Sequence, residues 1–386
     1  MNSALSVNET GAIQLRTEWS ESHSVWLRWP YREEIWPQQP GELAPVQQEF
    51  LLLLQELADA QIPVNLQVAV GHTDAVQALL AKQAFSAALA IQLHEVAYGD
   101  IWLRDCAPFA AKQTSKNEQA SAWHFQFDGW GGIDDQFNDD IQARNWLSEK
   151  LGLLKLGAGI AEDKMVLEGG ALHHDGEGTA IACAGSILFR PGNDGLTAAE
   201  FRLKLQGCFG IEKVLMVPGR LAADETGGHV DNLAAFIAPG EVVIAYTDDA
   251  SHPDYATCRR VFDFFDDAVD AHGRAFVIHK LPLPRAPRLS AAEAVDIKQR
   301  HGVRRRIAGM PLMASYVNFL RVNANGDSAS GGFASKLIVM PGFGLPTDDI
   351  ARNLMAKWLP EYRVVTVPAR ALLVGGGGWH CASFVY

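Results

Sequence analysis

The feature that most constrains the fold is a recurring order of predicted elements along the chain. In each copy, two β-rich runs joined by a turn precede an amphipathic helix and a further strand. The clearest copy contains HVDNLAAFIA and EVVIAYT around the turn Pro239-Gly240, then the helical DYATCRRVFDFFDDAVDAHG, which ends at Gly273, and the strand RAFVIHKL. Strands that alternate with helices in this way are typical of α/β proteins. The order therefore predicts an α/β fold made of ββαβ modules.

Further copies occur on both sides of this one. A copy that begins at Trp102 places its helix near IQARNWLSEKL and its last strand at DKMVLE. The others are VLEGGALHHDGEGTAIACA with TAAEFRLKLQG and IEKVLMVP, then SYVNFLRV with KLIVMPG, DDIARNLMAKWL and YRVVTVP, and a looser N-terminal set of HSVWLRWP, PVQQEFLLLLQELADA and IPVNLQVAV. The sequence thus predicts about five modules in one domain over residues 1–386. If the modules pack around an axis, the loops that open them meet at one end.

Composition limits the class of partner. With 33 basic and 45 acidic residues the net charge is −12, which disfavours nucleic-acid binding and suits a small cationic substrate. No run approaches about 18 consecutive apolar residues, and the N-terminus lacks the basic and apolar regions of a signal peptide. The five cysteines form no CxxC pair. We therefore expect a cytoplasmic protein in a reducing compartment, without a membrane partner. Oligomeric state, including a homo-oligomer, is left open.

Two stretches lie outside the modules. KLPLPRAPRLS, from Lys280 to Ser290, is rich in proline and is interpreted as a surface loop, which leaves open a role as a lid. KQRHGVRRR, from Lys298 to Arg306, is a basic run that we interpret as a solvated helix end or loop. Neither stretch is assigned a function.

The glycines at 375 to 378 run directly into Trp379, His380 and Cys381. A phosphate-binding loop would need a following helix, and only five residues follow the cysteine. Glycine also lets the backbone approach a ligand closely, so the run predicts a loop that presents Cys381 at a strand end. Taken alone, Cys381 fits a buried structural cysteine better than a nucleophile.

The string DETGGHVDN supplies a proton-transfer group for such a thiol. His229 and Asp231 are two residues apart, and in a strand they would project from the same face. Histidine is the usual partner of a catalytic thiol. A histidine that is merely hydrogen-bonded in a turn is the alternative, and the presence of Cys381 favours catalysis.

Further carboxylates lie at turns near predicted strands. GDIWLRDCAPF contributes Trp102, Arg104 and Asp105, where the aspartate could equally be a turn residue or pair with the arginine. VLEGGALHHDGEGT contributes Glu168 just before a glycine pair. Acids recur at this point in successive modules, and this repetition is harder to dismiss than any single case.

A metal centre is a weaker interpretation. His173, His174, Asp175 and Glu177 are all ligand types, but adjacent residues of a strand point to opposite faces. The sequence also lacks HExxH and CxxC spacings and the GxSxG elbow of serine hydrolases. We therefore predict neither a metal nor another cofactor.

Six blocks in order carry a resemblance over nearly the whole chain. WLRDCAP, FDGWGG, LEGGALHHDGEGT, DETGGHVDN, ASYVNF and GGGGWHC resemble the successive blocks of the agmatine deiminase and Porphyromonas-type peptidylarginine deiminase family. The family is similar to other guanidine-modifying enzymes that form a five-bladed, pseudo-symmetric α/β propeller. The five modules agree with that architecture.

The resemblance also implies roles for individual residues. It implies Cys381 as the nucleophile, His229 as general acid and base, Asp105 and Asp231 as the carboxylates that clamp the guanidinium, and Glu168 as an acid beside the histidine and the substrate. It also implies substrate-binding positions for three residues, Trp102, Asn318 and Trp130.

The implied reaction is hydrolysis of a small guanidine, above all agmatine, to N-carbamoylputrescine and ammonia through an S-alkylthiouronium. Free or peptidyl arginine, another guanidine, transfer of the amidino group to an amine, and a non-catalytic guanidine-binding propeller are the alternatives. The chain departs from the family's usual RDxGP and GGGNIHC at Ala107 and at Gly378-Trp379. With Trp379 beside the cysteine loop, agmatine specificity is a weaker inference than guanidine hydrolysis.

Overall fold

The computed structural model describes residues 13–39, 42–83, 85, 91–111, 120–156, 164–295, 305–324 and 335–386. Sixteen strands within these residues form five small sheets, one of four strands and four of three. In four of the sheets, an antiparallel pair of strands is extended by a parallel strand. The predicted α/β fold of five ββαβ-like modules is therefore confirmed.

The chain divides into two compact units, each assembled from three segments. The first unit contains Met1–Ser20, Asp105–Gly132 and Ile141–Lys280, and the second contains Glu21–Arg104, Ile133–Asp140 and Leu281–Tyr386. The single domain over residues 1–386 stays a prediction.

Three sheets lie wholly or mainly in the first unit. Their strands are β4 Phe109–Ala110, β5 Ser121–Trp123 and β6 Leu154–Leu156, then β7 Leu172–His174, β8 Thr179–Cys183 and β9 Lys213–Val217, then β10 Ala234–Ala238, β11 Glu241–Tyr246 and β12 Val277–Pro282. The helices of these modules are Phe137–Lys150, Ala184–Ile187, Ala198–Phe209 and Tyr255–Asp267. Two short 3₁₀ turns, Gly169–Ala171 and Val230–Asn232, precede β7 and β10.

Local sequence explains the helix Ala198–Phe209. Thr197 and Glu200 form a reciprocal capping box at its start, and Gly210 ends it at a φ of 66°. Phe201 and Leu205 are four residues apart and both fully buried, so one face of the helix joins the core.

Two sheets lie in the second unit. Their strands are β1 Val25–Arg28, β2 Val64–Val68, β3 Ile91–Glu95 and β16 Ser383–Val385, then β13 Leu320–Ala324, β14 Ser335–Gly342 and β15 Arg363–Pro368. The helices are Pro45–Asp59, Thr73–Leu80, Ala291–Val295, Thr347–Trp358 and Arg370–Gly375, together with Leu103–Cys106, where the unit boundary falls. None of the helices within the described ranges has the length and apolar character to span a membrane.

The N-terminal module is completed by the end of the chain. β16 pairs antiparallel with β1, with Val385 opposite Val25, while β1 pairs parallel with β2. The sequence analysis predicted β1, the helix and β2 but did not predict this C-terminal strand.

Two predicted boundaries were wrong. The last strand of the module that begins at Trp102 is β6, and DKMVLE contributes only an isolated bridge from Val166 to Gln126.

The helix predicted to end at Gly273 ends at Asp267. A turn follows in which Asp270 Oδ1 accepts hydrogen bonds from the backbone N–H groups of His272 and Arg274. Such local bonds compete with helix continuation.

The two stretches outside the modules have different outcomes. Leu281, Leu283 and Leu289 are buried, so the proline-rich loop is anchored by leucines rather than lying wholly on the surface. Most of the basic run, residues 298–304, lies outside the described residues. Its last residue, Arg306, is buried and donates a 3.0 Å hydrogen bond to the carbonyl of Gly375.

Candidate active site

In the first unit, three acidic side chains and a histidine form a buried group that we call the acid cluster: Asp105, Glu168, His229 and Asp231. All four are at most 4% exposed. A β-carbon placed on Gly170 would lie 2.8 Å from Asp105 Oδ1, 2.8 Å from His229 Nδ1 and 2.9 Å from Asp231 Oδ2. These atoms therefore converge on one glycine, which has no room for a side chain.

A tight loop brings His229 and Asp231 together. The predicted strand was wrong here, because Val230–Asn232 is a 3₁₀ turn and β10 starts at Ala234. Asp224 Oδ1 accepts hydrogen bonds from the backbone N–H groups of Thr226 and Gly228 in the preceding loop. The two side chains thus share one site through loop geometry and not through strand alternation.

Glu168 stands between a histidine and an arginine. Its Oε2 lies 3.1 Å from His229 Nε2 and accepts a 2.6 Å bond from Arg190 Nη2. Arg190 is buried and also donates to the carbonyl of Thr226 at 3.0 Å. Glu168 Oε1 is buried and has no hydrogen-bond partner among the described residues. The sequence analysis missed Arg190, because a lone arginine in FRPG carries no recognisable signal.

Both carboxylate oxygens of Asp105 accept hydrogen bonds. The backbone N–H of Gly170 donates to Oδ1 at 2.9 Å, and Trp130 Nε1 donates to Oδ2 at 2.8 Å. Trp130 has a φ of 59°, inside a Gly129–Gly132 turn in which every φ is positive. This conformation is costly for a bulky residue. The predicted substrate-binding tryptophan is therefore placed as a donor to the Asp105 carboxylate.

The charges of the acid cluster are strongly coupled. Burial by itself would lower the pKa of His229, but Asp105, Glu168 and Asp231 raise this pKa to about 10. Burial raises the pKa of Asp105, and His229 opposes that shift. Three acidic side chains thus surround the His229 ring, and Glu168 also pairs with Arg190. The cluster therefore holds an imidazolium among acidic side chains.

In the second unit, Cys381 lies two residues before β16 and is 5% exposed. Asn318 Nδ2 donates to Cys381 Sγ at 3.0 Å, and the backbone N–H of Cys381 donates to Asn318 Oδ1 at 3.2 Å. The backbone N–H of Arg104 donates to the carbonyl of Cys381 at 3.1 Å. The predicted nucleophile is thus held by the predicted substrate-binding asparagine.

The glycine run before Cys381 has a steric explanation. β-Carbons placed on Gly375 and Gly377 would lie 2.8 and 2.7 Å from the ring of Trp102, and one on Gly378 would lie 2.7 Å from Asn318 Oδ1. Gly376 has a φ of 115°, which residues other than glycine rarely adopt. The predicted substrate-binding Trp102 therefore covers the loop that carries Cys381.

Trp379 belongs to the core of the second unit. It is fully buried, packs edge to face against Phe50 with 5.5 Å between ring centroids, and its Nε1 donates to the carbonyl of Val367. Core packing accounts for this departure from the usual family block.

The ligand types considered for a metal have separate hydrogen-bond partners. His173 Nδ1 accepts a bond from the backbone N–H of Phe236, and His174 Nε2 lies 3.1 Å from the carbonyl of Arg16. Asp175 Oδ1 accepts bonds from the N–H groups of Glu177 and Thr179 within its own turn. These contacts hold His173, His174 and Asp175 in place within the first unit.

Comparisons with known proteins give one consistent result. The family model described as Porphyromonas-type peptidyl-arginine deiminase matches residues 14–385. The chain is 32% identical over 383 residues to an agmatine deiminase of Pseudomonas syringae pv. syringae, covering 99% of this chain and 98% of that protein.

Solved structures agree with this result. The agmatine deiminase of Enterococcus faecalis is 25% identical with a TM-score of 0.83, over 97% of this chain and 98% of that one. A C. jejuni agmatine deiminase with substrate bound matches at 20% identity and a TM-score of 0.73, over 100% and 98% of the two chains, and supports the fold alone. The five small mixed sheets are consistent with the five-bladed propeller of agmatine deiminases.

Proposed function

This chain belongs to the Porphyromonas-type peptidyl-arginine deiminase family, which includes agmatine deiminases, and from that premise we propose that it hydrolyses agmatine to N-carbamoylputrescine and ammonia. The chain is homologous to agmatine deiminase hydrolases over nearly its full length. The observation that carries the proposal is the convergence of Asp105, His229 and Asp231 on Gly170.

The charge of the acid cluster supports a cationic substrate. A guanidinium is planar, stays protonated near neutral pH and presents N–H donors along its edges. Each charge-assisted hydrogen bond to a carboxylate contributes about 1.5–3 kcal/mol, which offsets the desolvation of the cation. Asp105 and Asp231 supply two such carboxylates, and the second oxygen of Glu168 offers a further buried acceptor.

We propose that the acid cluster and Cys381 act in one reaction. The Cys381 thiolate attacks the guanidinium carbon and forms a C–S bond. His229, held as an imidazolium by its three acidic neighbours, protonates the departing nitrogen as the C–N bond breaks. Ammonia leaves and an S-alkylthiouronium remains.

Water completes the cycle. The neutral imidazole of His229 takes one proton from water, and the oxygen attacks the same carbon. The C–S bond then breaks to release the thiolate, and the second proton of the water passes from the ureido product to the solvent. The net reaction consumes one water and releases one ammonia. The carboxylates hold the guanidinium plane in place through both steps.

The choice of agmatine among guanidines rests on the relatives. Proteins named agmatine deiminase match this chain at 32% identity over 383 residues. The contacts of Asn318 and Trp102 around Cys381 are with the protein itself, so they do not identify the substrate. Free arginine, an arginyl peptide and other guanidines are therefore alternative substrates to assay. Transfer of the amidino group to an amine is an alternative reaction to assay.

A ureido and ammonia assay over agmatine, free arginine and an arginyl peptide tests the proposal. We expect agmatine to have the highest kcat/KM, and Cys381→Ser to reduce turnover of every substrate to background. Cys208→Ala, in the core of the first unit, is the matched control and should stay active. Turnover by Cys381→Ser would refute the nucleophile, and a preference for free or peptidyl arginine would refute agmatine. Binding of guanidines without turnover by the wild type would favour a non-catalytic protein.

A further inference from the structure

The carboxamide of Asn318 has a fixed orientation. The backbone N–H of Cys381 can only donate, so the side-chain atom that faces it at 3.2 Å must be the oxygen. The nitrogen of the same amide then faces Cys381 Sγ at 3.0 Å. An amide nitrogen carries hydrogens and does not accept. The sulfur therefore faces a donor.

The position of this donor is supported on several sides. Asn318 is 1% exposed, its backbone N–H donates to the carbonyl of Ser315, and its own carbonyl accepts from the backbone N–H of His380 at 3.3 Å. Gly378 leaves only enough space for the Asn318 amide, because a β-carbon there would lie 2.7 Å from Oδ1. The amide is thus fixed against the cysteine before any substrate binds.

A donor at this distance favours one form of the cysteine over the other. A thiolate accepts a charge-assisted hydrogen bond, which is stronger than the bond a neutral thiol accepts. In the low-polarity surroundings of a buried side chain this difference increases. The sequence resemblance implied a substrate-binding role, which is a different use of the same amide.

We infer that Asn318 is a positioning residue that stabilises the Cys381 thiolate through Nδ2 and fixes the Cys381 backbone through Oδ1. The inference rests on the proposed function and identifies a protein group that favours the reactive form of the nucleophile. Asn318 acts through the cysteine.

Asn318→Asp is the sharpest test, because it keeps the shape and replaces the donor by a carboxyl group. The rate at which iodoacetamide alkylates Cys381 is measured against pH and followed by mass spectrometry of the Cys381 peptide. Burial raises the pKa of Cys183 to about 12 and that of Cys258 to about 11, so these thiols react slowly. We expect the midpoint of Cys381 alkylation to rise by about one to two pH units, since the lost bond is to a charged group.

The control is Asn323→Asp, the same change at a half-buried position of β13 in the same unit. It should leave the midpoint unchanged. Asn318→Ala removes both bonds without adding charge, and we expect a smaller rise of the midpoint in the same direction. It keeps the test decisive if Asn318→Asp does not fold.

Steady-state kinetics distinguish a role of Asn318 in positioning the thiolate from a role in binding the substrate. We expect kcat for agmatine to fall by about tenfold or more with KM changed less than about twofold, and the acid limb of the kcat profile to move with the thiol midpoint. A raised KM with an unchanged alkylation midpoint would overturn the inference and make Asn318 a substrate ligand. Alkylation of Cys381 needs no turnover, so its pH midpoint tests the role of Asn318 even if the proposed reaction fails. The Cys381→Ser assay tests the reaction alone.

Discussion

The Nη2 atom of Arg190 lies 2.6 Å from the Oε2 atom of Glu168, and both side chains are buried. Removal of one partner of such a pair leaves an uncompensated buried charge and costs about 3–5 kcal/mol. We therefore expect Arg190→Met to lower the free energy of unfolding by about that amount, measured by denaturant titration near neutral pH.

A double-variant cycle isolates the pair. Glu168→Gln alone leaves Arg190 without its carboxylate, whereas Glu168→Gln with Arg190→Met removes both charges. We expect the double variant to lose less stability than the two single losses combined, by about 1–3 kcal/mol. Strictly additive losses would mean that Arg190 stabilises the unit through Thr226 rather than through Glu168.

The module order could be predicted because it depends on local signals. Alternation in β-rich runs, helix periodicity and a capping box such as Thr197 with Glu200 all lie within a few residues of one another. The strand β16 could not be predicted in the same way, because its partner β1 lies more than three hundred residues away in sequence. A three-residue run such as Ser383–Val385 has no periodicity of its own.

The site shows the same division between local and distant signals. Asp105, Glu168, His229 and Asp231 were named from their residue types and motifs, and the structure gathers them in one unit. Arg190 was missed, and the hydrogen bond from Trp130 to Asp105 was not predicted. Both contacts depend on loops that turn at residues with positive φ. His229 and Asp231 were correctly predicted to lie together. The predicted cause, alternation along a strand, was wrong, because the segment between them is a 3₁₀ turn.

His229 should make the stability of the protein depend on pH. Asp105, Glu168 and Asp231 outweigh burial and raise its pKa to about 10. The proton is therefore held more tightly in the folded than in the unfolded chain, where histidine titrates near about 6.5. This contribution is fully present below about pH 6.5 and is lost as the pH rises through about 10, at roughly 1.4 kcal/mol per unit of the raised pKa.

The comparison of wild type with His229→Gln measures this effect. We expect the difference in free energy of unfolding to be largest near about pH 6 and to shrink steadily towards about pH 10. His279→Gln is the control, because His279 pairs with the half-exposed Glu241 and such pairs contribute about 0–1 kcal/mol. A difference that stays constant with pH would contradict the proton held by the three acids.

Gly170 should not tolerate even one added methyl group. The β-carbon of alanine would lie within 3 Å of Asp105, His229 and Asp231, so at least one of these groups must move. Misplacement of reacting groups by about 1 Å can cost about 100-fold in rate. We expect Gly170→Ala to reduce kcat/KM for agmatine by about that factor.

Gly342→Ala, whose β-carbon would lie 2.8 Å from Thr366 in the β14–β15 sheet, is the control for steric crowding alone. Equal activity in the two variants would show that the crowded groups do not serve catalysis.

Glu49 couples pH to the helix that leads into the glycine run. Its two carboxylate oxygens accept hydrogen bonds from the backbone N–H groups of Ala371 and Leu372, at the start of Arg370–Gly375. Burial outweighs these bonds and raises the pKa of Glu49 to about 7. The contribution of Glu49 to stability is therefore fully present below about pH 4.5 and is lost as the pH rises through about 7.

We expect wild type to lose stability relative to Glu49→Gln by on the order of 3 kcal/mol across that range. Glu56→Gln, on the same helix Pro45–Asp59, should not reproduce the trend. Parallel stability curves for wild type and Glu49→Gln would mean that this carboxylate stays ionised in the folded chain.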